Sequence, residues 1–142
     1  LWRAQRAQRV EALVLEASTE GGYNGRIEVL IGVRLPDATR SHSNVLAVRV
    51  TSHRETPGLG DGIDRERSDW IDQFAGKSLR MPAYEHWRSQ RDGGAFDTLA
   101  SATVSSRALI ELNARVLRFV DTHADALRSA PSGSQREYAD AE

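Results

Sequence analysis

The chain has 142 residues, of which 39% are hydrophobic and 27% charged, a composition that excludes collagen-like and intrinsically disordered chains and predicts one compact domain. Nineteen basic and 20 acidic residues give a net charge of −1 without a dense basic run, so we expect no nucleic-acid partner. The absence of cysteine excludes thiolate nucleophiles and cysteine-ligated metal sites.

Three strands are predicted in the first half of the chain. Polar and apolar residues alternate over residues 11–18 and again over 45–52, and residues 26–35 form a β-branched run. The first two strands are joined by residues 20–25, a turn segment with three glycines and an asparagine. We therefore expect an antiparallel pair or meander.

A short helix, a hairpin and a long helix are predicted in the second half. Ser68 is expected to cap a short helix that Gly76 ends. Residues 84–90 and 95–99 flank the turn 91–94, which predicts a β-hairpin whose last strand leads into the long helix. Residues 102–127 are predicted to form that helix, because apolar residues recur there with a period near 3.6: Leu109, Leu112, Val116, Phe119, Val120 and Leu127.

The order of these elements predicts an α+β fold, with an antiparallel sheet packed against the long C-terminal helix and the short helix. We expect residues 1–128 to form a single domain. Residues 129–142 are polar and small and show no periodicity, so we expect a disordered tail.

The start of the long helix is a candidate anion site. The first N–H groups of a helix lack intrahelical partners, and residues 101–106 are rich in hydroxyl groups. A phosphate could be held there. The alternative is that Ser101 or Thr103 is simply a helix N-cap.

The glycine-rich loop 53–63 is a second candidate, because its glycines allow close backbone approach to a flat ligand. The alternative is a tight surface turn with Glu55 as an ordinary solvated carboxylate. The four histidines lie in different segments without ligand spacing, so we expect no metal site.

Three segments together resemble a known family: SHRETPGLGDGI at 52–63, SDWIDQFAGKSL at 68–79 and DGGAFDTLASATVSSRAL at 92–109. The resemblance is to the FMN-binding domain of the G subunit of Rnf ion-translocating electron-transport complexes. A related family is the C subunit of the sodium-pumping NADH:quinone oxidoreductase.

The resemblance implies covalent FMN. In that family the FMN phosphate is esterified to a threonine in a motif of the form D-x-x-(S/T)-G-A-T, which places the attachment on Thr103. Asp97 and Ala102 also match, whereas Ala100 and Ser101 replace the usual residues. Ser105 and Ser106 are fallback acceptors. The cofactor-binding residues that the resemblance implies are His53, Glu55, Thr56, Gly58, Leu59, Asp97, Ser101, Ala102, Val104 and Ser105.

The function implied is an electron-carrier subunit without a catalytic residue of its own. A stand-alone FMN-dependent reductase and a flavin-free assembly or regulatory module remain alternatives. The implied partners are the other subunits of a membrane electron-transport complex and, during maturation, a flavin transferase. The resemblance also implies an N-terminal membrane helix absent from this chain, and a location on the outer, periplasmic face of the bacterial cytoplasmic membrane.

Overall fold

A four-stranded antiparallel sheet forms one layer of the described chain. The computed structural model describes residues 2–6 and 9–129, which contain β1 (Trp2–Arg6), β2 (Arg9–Gly22), β3 (Gly25–Arg34) and β4 (Asn44–Ser52) in the spatial order β1-β2-β3-β4. The three predicted strands and their meander are confirmed. The structure adds β1, which pairs with β2, and extends β2 beyond its predicted bounds at both ends.

One helix, α1 (Thr103–Ser129), forms the second layer and packs mainly against β2. Alternate residues of β3 are fully buried, as expected for a strand with one face against a core. The predicted helical stripe supplies much of the opposite wall, with Leu109, Leu112, Val120 and Leu127 buried. The predicted α+β fold is therefore confirmed.

The predicted short helix is a single 3-10 turn, Trp70–Phe74. The Ser68 hydroxyl accepts the N–H of Trp70 at 3.2 Å, and Gly76 has a φ of 80° where the turn ends. Trp70 and Phe74 are buried, so the apolar pattern identified the buried side of this turn correctly.

The predicted hairpin over residues 84–99 is wrong. Gly93 has the left-handed conformation expected of the turn, with a φ of 85°, but Ser89 and Phe96 form only an isolated bridge, and it is parallel. The rings of Trp87 and Phe96 pack on each other instead, with centroids 4.6 Å apart. This ring contact, together with irregular backbone hydrogen bonds such as that from the Gln90 N–H to the Phe96 carbonyl at 2.8 Å, holds these segments in place of a regular ladder. In the described chain, the segment that leads into α1 is therefore not a strand.

The start of α1 follows an irregular segment that aromatic residues hold in place. Phe74 contacts both Trp87 and Phe96, with ring centroids 6.3 and 5.2 Å away. Residues 130–142 lie outside the described residues, so the tail and the domain bounds stay predictions. Among the residues described, no helix is long and apolar enough to span a bilayer.

Candidate functional site

No side chain among the described residues caps the first turn of α1. The N–H of Ser106 donates to the carbonyl of Ala102 at 3.0 Å, which makes Ala102 the N-cap residue. Alanine has no capping oxygen, so the interpretation of Ser101 or Thr103 as the N-cap is wrong. Within residues 2–6 and 9–129, no side-chain acceptor binds the N–H groups of Thr103 and Val104, and the first turn holds no acidic residue. An anion would meet free donors there.

The hydroxyl groups of this turn differ in accessibility. Ser105 and Ser106 are fully buried. The Ser106 hydroxyl accepts the N–H of Leu99 at 3.0 Å and donates to the carbonyl of Ala102 at 2.8 Å. Thr103 is partly exposed, and its hydroxyl makes no hydrogen bond to another described residue. Of the described hydroxyls in this first turn, Thr103 is the accessible one.

Glu55 is a buried anchor rather than a solvated carboxylate. It is only 6% exposed, and its two oxygens accept the N–H groups of Tyr23 at 3.4 Å and Asn24 at 3.1 Å. Gly60 lies directly against it, because a Cβ added there would stand 3.0 Å from the Glu55 Cβ. The carboxylate therefore ties loop 53–63 to the turn between β2 and β3.

His53 and Thr56 support the same connection. The Nδ1 atom of His53 accepts the N–H of Glu55 at 3.0 Å, and Nε2 lies 3.9 Å from an Asp64 carboxylate oxygen. The Thr56 hydroxyl accepts the side-chain amide of Asn24 at 3.2 Å. Three of the predicted site residues thus hold the loop in position.

The tip of loop 53–63 is a tight turn that exposes one apolar side chain, that of Leu59. Gly58 has a φ of 78° and donates its N–H to Asp61 at 2.9 Å, and the N–H of Leu59 donates to the carbonyl of Thr56 at 3.0 Å. The Leu59 side chain is 48% exposed. The loop is therefore a tight turn, as one of the two alternatives predicted, and its approach to a flat ligand stays a prediction.

Three segments meet around Thr103: the hairpin turn 22–25, loop 53–63 and residues 97–106. The hairpin turn contacts the helix where the N–H of Tyr23 donates to the Ser105 hydroxyl at 3.1 Å. The loop contacts residues before the helix, since a Cβ on Gly62 would stand 3.1 Å from the Leu99 side chain. The structure thus brings the two predicted site segments together and adds a third.

Asp97 is held through its backbone. Its carbonyl accepts the indole N–H of Trp70 at 2.8 Å and the Gln73 amide at 3.1 Å, and its N–H donates to Gln73 at 2.9 Å. These groups line an open cleft of about 700 Å³. Asp97, Ser101 and Val104 are exposed, whereas Ala102 is buried.

A bidentate ion pair holds the preceding loop to α1. Arg107 donates to both carboxylate oxygens of Asp92, at 2.7 and 2.8 Å, and the Ser89 hydroxyl donates to the same carboxylate at 2.7 Å. The Arg107 guanidinium, with the Ser89 hydroxyl, lowers the pKa of Asp92 below its ordinary value. The carboxylate in turn raises the pKa of Arg107.

Sequence reasoning missed Tyr23 and Asn24, which it treated only as part of a turn. Half of the exposed large apolar residues in the described chain belong to the three segments around Thr103: Tyr23 at 74%, Leu59 at 48% and Val104 at 49%. An aromatic residue between glycine and asparagine in a turn was the available signal, because a solvated turn has no structural need of one.

Comparison with known proteins identifies a matching family. The sequence profile described as "FMN-binding domain" matches residues 22–118. The chain is 38% identical over 135 residues to the G subunit of the ion-translocating oxidoreductase complex of Vibrio vulnificus (strain YJ016), covering 95% of the chain and 61% of that protein.

Two other relatives carry the same name. Identity is 39% over 129 residues with the protein of Pseudomonas aeruginosa (strain UCBPP-PA14), covering 91% of the chain and 58% of the relative. It is 38% over 129 residues with that of Escherichia coli O157:H7, covering 91% and 60%. The chain spans about three fifths of the length of these curated relatives.

Proposed function

The chain belongs to the FMN-binding domain family, and from that premise we propose that it carries FMN bound covalently through a phosphoester to the Thr103 hydroxyl. We propose further that it is the electron-carrier domain of a membrane-bound ion-translocating oxidoreductase complex of the Rnf type. The names of its relatives support this assembly.

One observation carries the proposal: an accessible threonine hydroxyl stands at a helix N-terminus that no described side chain caps. Thr103 is partly exposed and its hydroxyl bonds to no other described residue, whereas the hydroxyls of Ser105 and Ser106 are buried and hydrogen-bonded. The residues therefore fit a phosphoester at Thr103 and disfavour the two fallback acceptors.

The chain's own groups would bind the phosphate without a basic side chain. The free N–H groups of Thr103 and Val104 would donate to its oxygens, and the partial positive charge of the helix N-terminus favours an anion by about 0.3–1 kcal/mol. When bound, FMN supplies the electron-transfer chemistry, and the protein supplies its position and surroundings.

The contacts of His53 and Glu55 favour a carrier over a stand-alone reductase. These two residues are the obvious acid–base candidates near the loop. Both are engaged in hydrogen bonds to backbone N–H groups, and Glu55 is buried. A carrier needs neither as a proton donor, because it only holds the flavin where another carrier can reach it.

The remaining parts of the proposal concern the assembly. A flavin transferase would form the Thr103 phosphoester during maturation. The other subunits would exchange electrons with the bound flavin. An N-terminal membrane helix outside the present chain would hold the domain on the outer, periplasmic face of the cytoplasmic membrane.

Intact mass spectrometry of protein co-produced with a flavin transferase tests the attachment. Wild type should gain the mass of FMN less one water, and Thr103→Val should gain nothing while keeping a cooperative unfolding transition. Thr122→Val, which makes the same substitution at an exposed threonine further along α1, is the matched control and should be modified normally. An adduct retained in Thr103→Val would refute the assignment.

Electron-transfer assays of the flavin-loaded protein test the carrier role. We expect exchange with soluble electron donors and acceptors that shows little dependence on their structure. Saturable turnover of one small organic substrate would instead support the reductase alternative. A correctly matured protein without a flavin absorbance spectrum would support the assembly module.

A further inference from the structure

The backbone of Tyr23 is held by hydrogen bonds, whereas its ring is largely exposed to solvent. Its N–H donates to Ser105 at 3.1 Å and to Glu55 at 3.4 Å, and the next N–H, that of Asn24, donates to Glu55 at 3.1 Å. Its side chain is nevertheless 74% exposed. Burying a large aromatic side chain stabilises a protein, and the Tyr23 ring makes little use of that contribution.

The backbone contacts place Tyr23 against the first turn of α1, which carries the proposed attachment residue. Ser105, which binds the Tyr23 N–H, follows Thr103 by two residues in the first turn of α1. Further along both elements, a Cβ on Gly21 would lie 3.2 Å from the Ala108 Cβ, so the end of β2 runs close against the helix. The absence of a side chain at Gly21 permits this approach.

Tyr23, Leu59 and Val104 form what we call the apolar rim, one residue from each of the three segments around Thr103. Each member is about half exposed or more. The isoalloxazine of FMN is a flat aromatic group with apolar faces, and a short ribityl chain from Thr103 keeps it within reach of this rim. Aromatic rings pair favourably with other aromatic rings, beyond the contribution of the area that they bury.

We propose that Tyr23 is a positioning residue for the flavin, its phenol ring packing against the isoalloxazine while Leu59 and Val104 contact the remainder. The inference rests on the proposed attachment at Thr103 and goes beyond it, because it assigns the position of the ring to the β2–β3 turn. The shared hydrogen bond to Ser105 makes that turn and the attachment site a single unit.

This arrangement has an optical consequence. A phenol in contact with an excited flavin gives it an electron, which returns to the phenol afterwards, so fluorescence is lost without net oxidation of either group. The bound flavin should therefore be weakly fluorescent in the wild type. Its visible circular dichroism should report the asymmetric contact with the ring.

The experiment compares flavin-loaded wild type with Tyr23→Leu and Tyr23→Phe. Leucine should raise the flavin fluorescence several-fold and weaken its visible circular dichroism, because both the electron donor and the aromatic contact are lost. Phenylalanine should also raise the fluorescence, since a benzene ring is a poor electron donor, but it should preserve the circular dichroism. Tyr84→Leu is the matched control: Tyr84 is 51% exposed, contacts Arg118, and should change neither signal.

Intact mass separates failure of this inference from failure of the proposed function. Tyr23→Leu with a full adduct but unchanged fluorescence and circular dichroism would overturn the role of Tyr23 and leave the attachment standing. A wild type matured with the transferase that carries no adduct would overturn both. If leucine prevents loading, the comparison of Tyr23→Phe with wild type replaces it, and unchanged fluorescence there would overturn the inference.

Discussion

The N–H of Tyr23 has two acceptors, so removing both should destabilise the domain by more than the sum of the two single changes. Ser105→Ala removes the acceptor at 3.1 Å and leaves the Glu55 oxygen at 3.4 Å. Glu55→Gln leaves Ser105 in place, and the glutamine carbonyl can still accept the N–H of Asn24, now bonded at 3.1 Å. Each single variant therefore keeps an acceptor for every N–H group of the turn.

The expected losses of unfolding free energy follow from the number of acceptors that each variant keeps. Loss of one hydrogen bond with a remaining alternative should cost about 1 kcal/mol in either single variant. In the double variant the part-buried Tyr23 N–H has no acceptor, which costs a further free energy of about 1–3 kcal/mol. Because water reaches the turn, we expect a value near the lower end of that range. We therefore expect a coupling free energy of about 1 kcal/mol.

Urea unfolding of the protein without flavin measures this coupling. The four proteins of the cycle should unfold in a single transition with similar m-values, so that the midpoints report stability. Ser105→Ala combined with Thr39→Ala is the control, because Thr39 bonds Asp37 in the loop at the other end of β3. Additivity of Ser105→Ala and Glu55→Gln within about 0.5 kcal/mol would refute the shared N–H.

Two further predictions concern the ion pair and the apolar rim. Arg107 lowers the folded-state pKa of Asp92, so wild type should be more stable than Asp92→Asn at pH values above the ordinary carboxyl pKa of about 3.9. This difference in stability should vanish as the pH falls through the lower folded-state pKa. Urea midpoints of the two proteins that differ equally at all pH values would contradict this prediction. Leu59→Asp should shift the absorbance and midpoint potential of the bound flavin, because a carboxylate beside the ring changes which flavin charge state is favoured. Spectroelectrochemistry measures both quantities, and the control Leu46→Asp, at a 41% exposed position on β4, should leave them unchanged. Equal effects of the two substitutions would count against the apolar rim.

The sheet and the long helix were predictable because each buries one face. Ile27, Val29, Ile31 and Val33 alternate along β3, and all four are buried. The path of residues 84–99 was not predictable from turn residues alone. Gly93 turns as expected, but the packing of Trp87 on Phe96 decides the path of the flanking backbone, and that contact also depends on Phe74 from another segment.

The candidate site was open to prediction where side chains carry the information. The hydroxyl-rich start of α1 and loop 53–63 were proposed from their residues, and the choice of Thr103 came from the family resemblance. The hairpin turn was not, because it joins the site through the backbone N–H groups of Tyr23 and Asn24, and any residue except proline supplies such a group. The burial of Glu55 was missed for the same reason: its partners have no signature in the sequence.

The hydrogen bonds of the β2–β3 turn also tie the surface around Thr103 to the folding of the whole domain. They join Tyr23 to Ser105 across 82 positions of the chain and Asn24 to Glu55 across 31. Contacts this distant in sequence close large loops, and the packing of the domain has to offset the conformational entropy that this closure costs. The surface around Thr103 is consequently a property of the complete tertiary structure, and a peptide that contains only the threonine motif does not reproduce it.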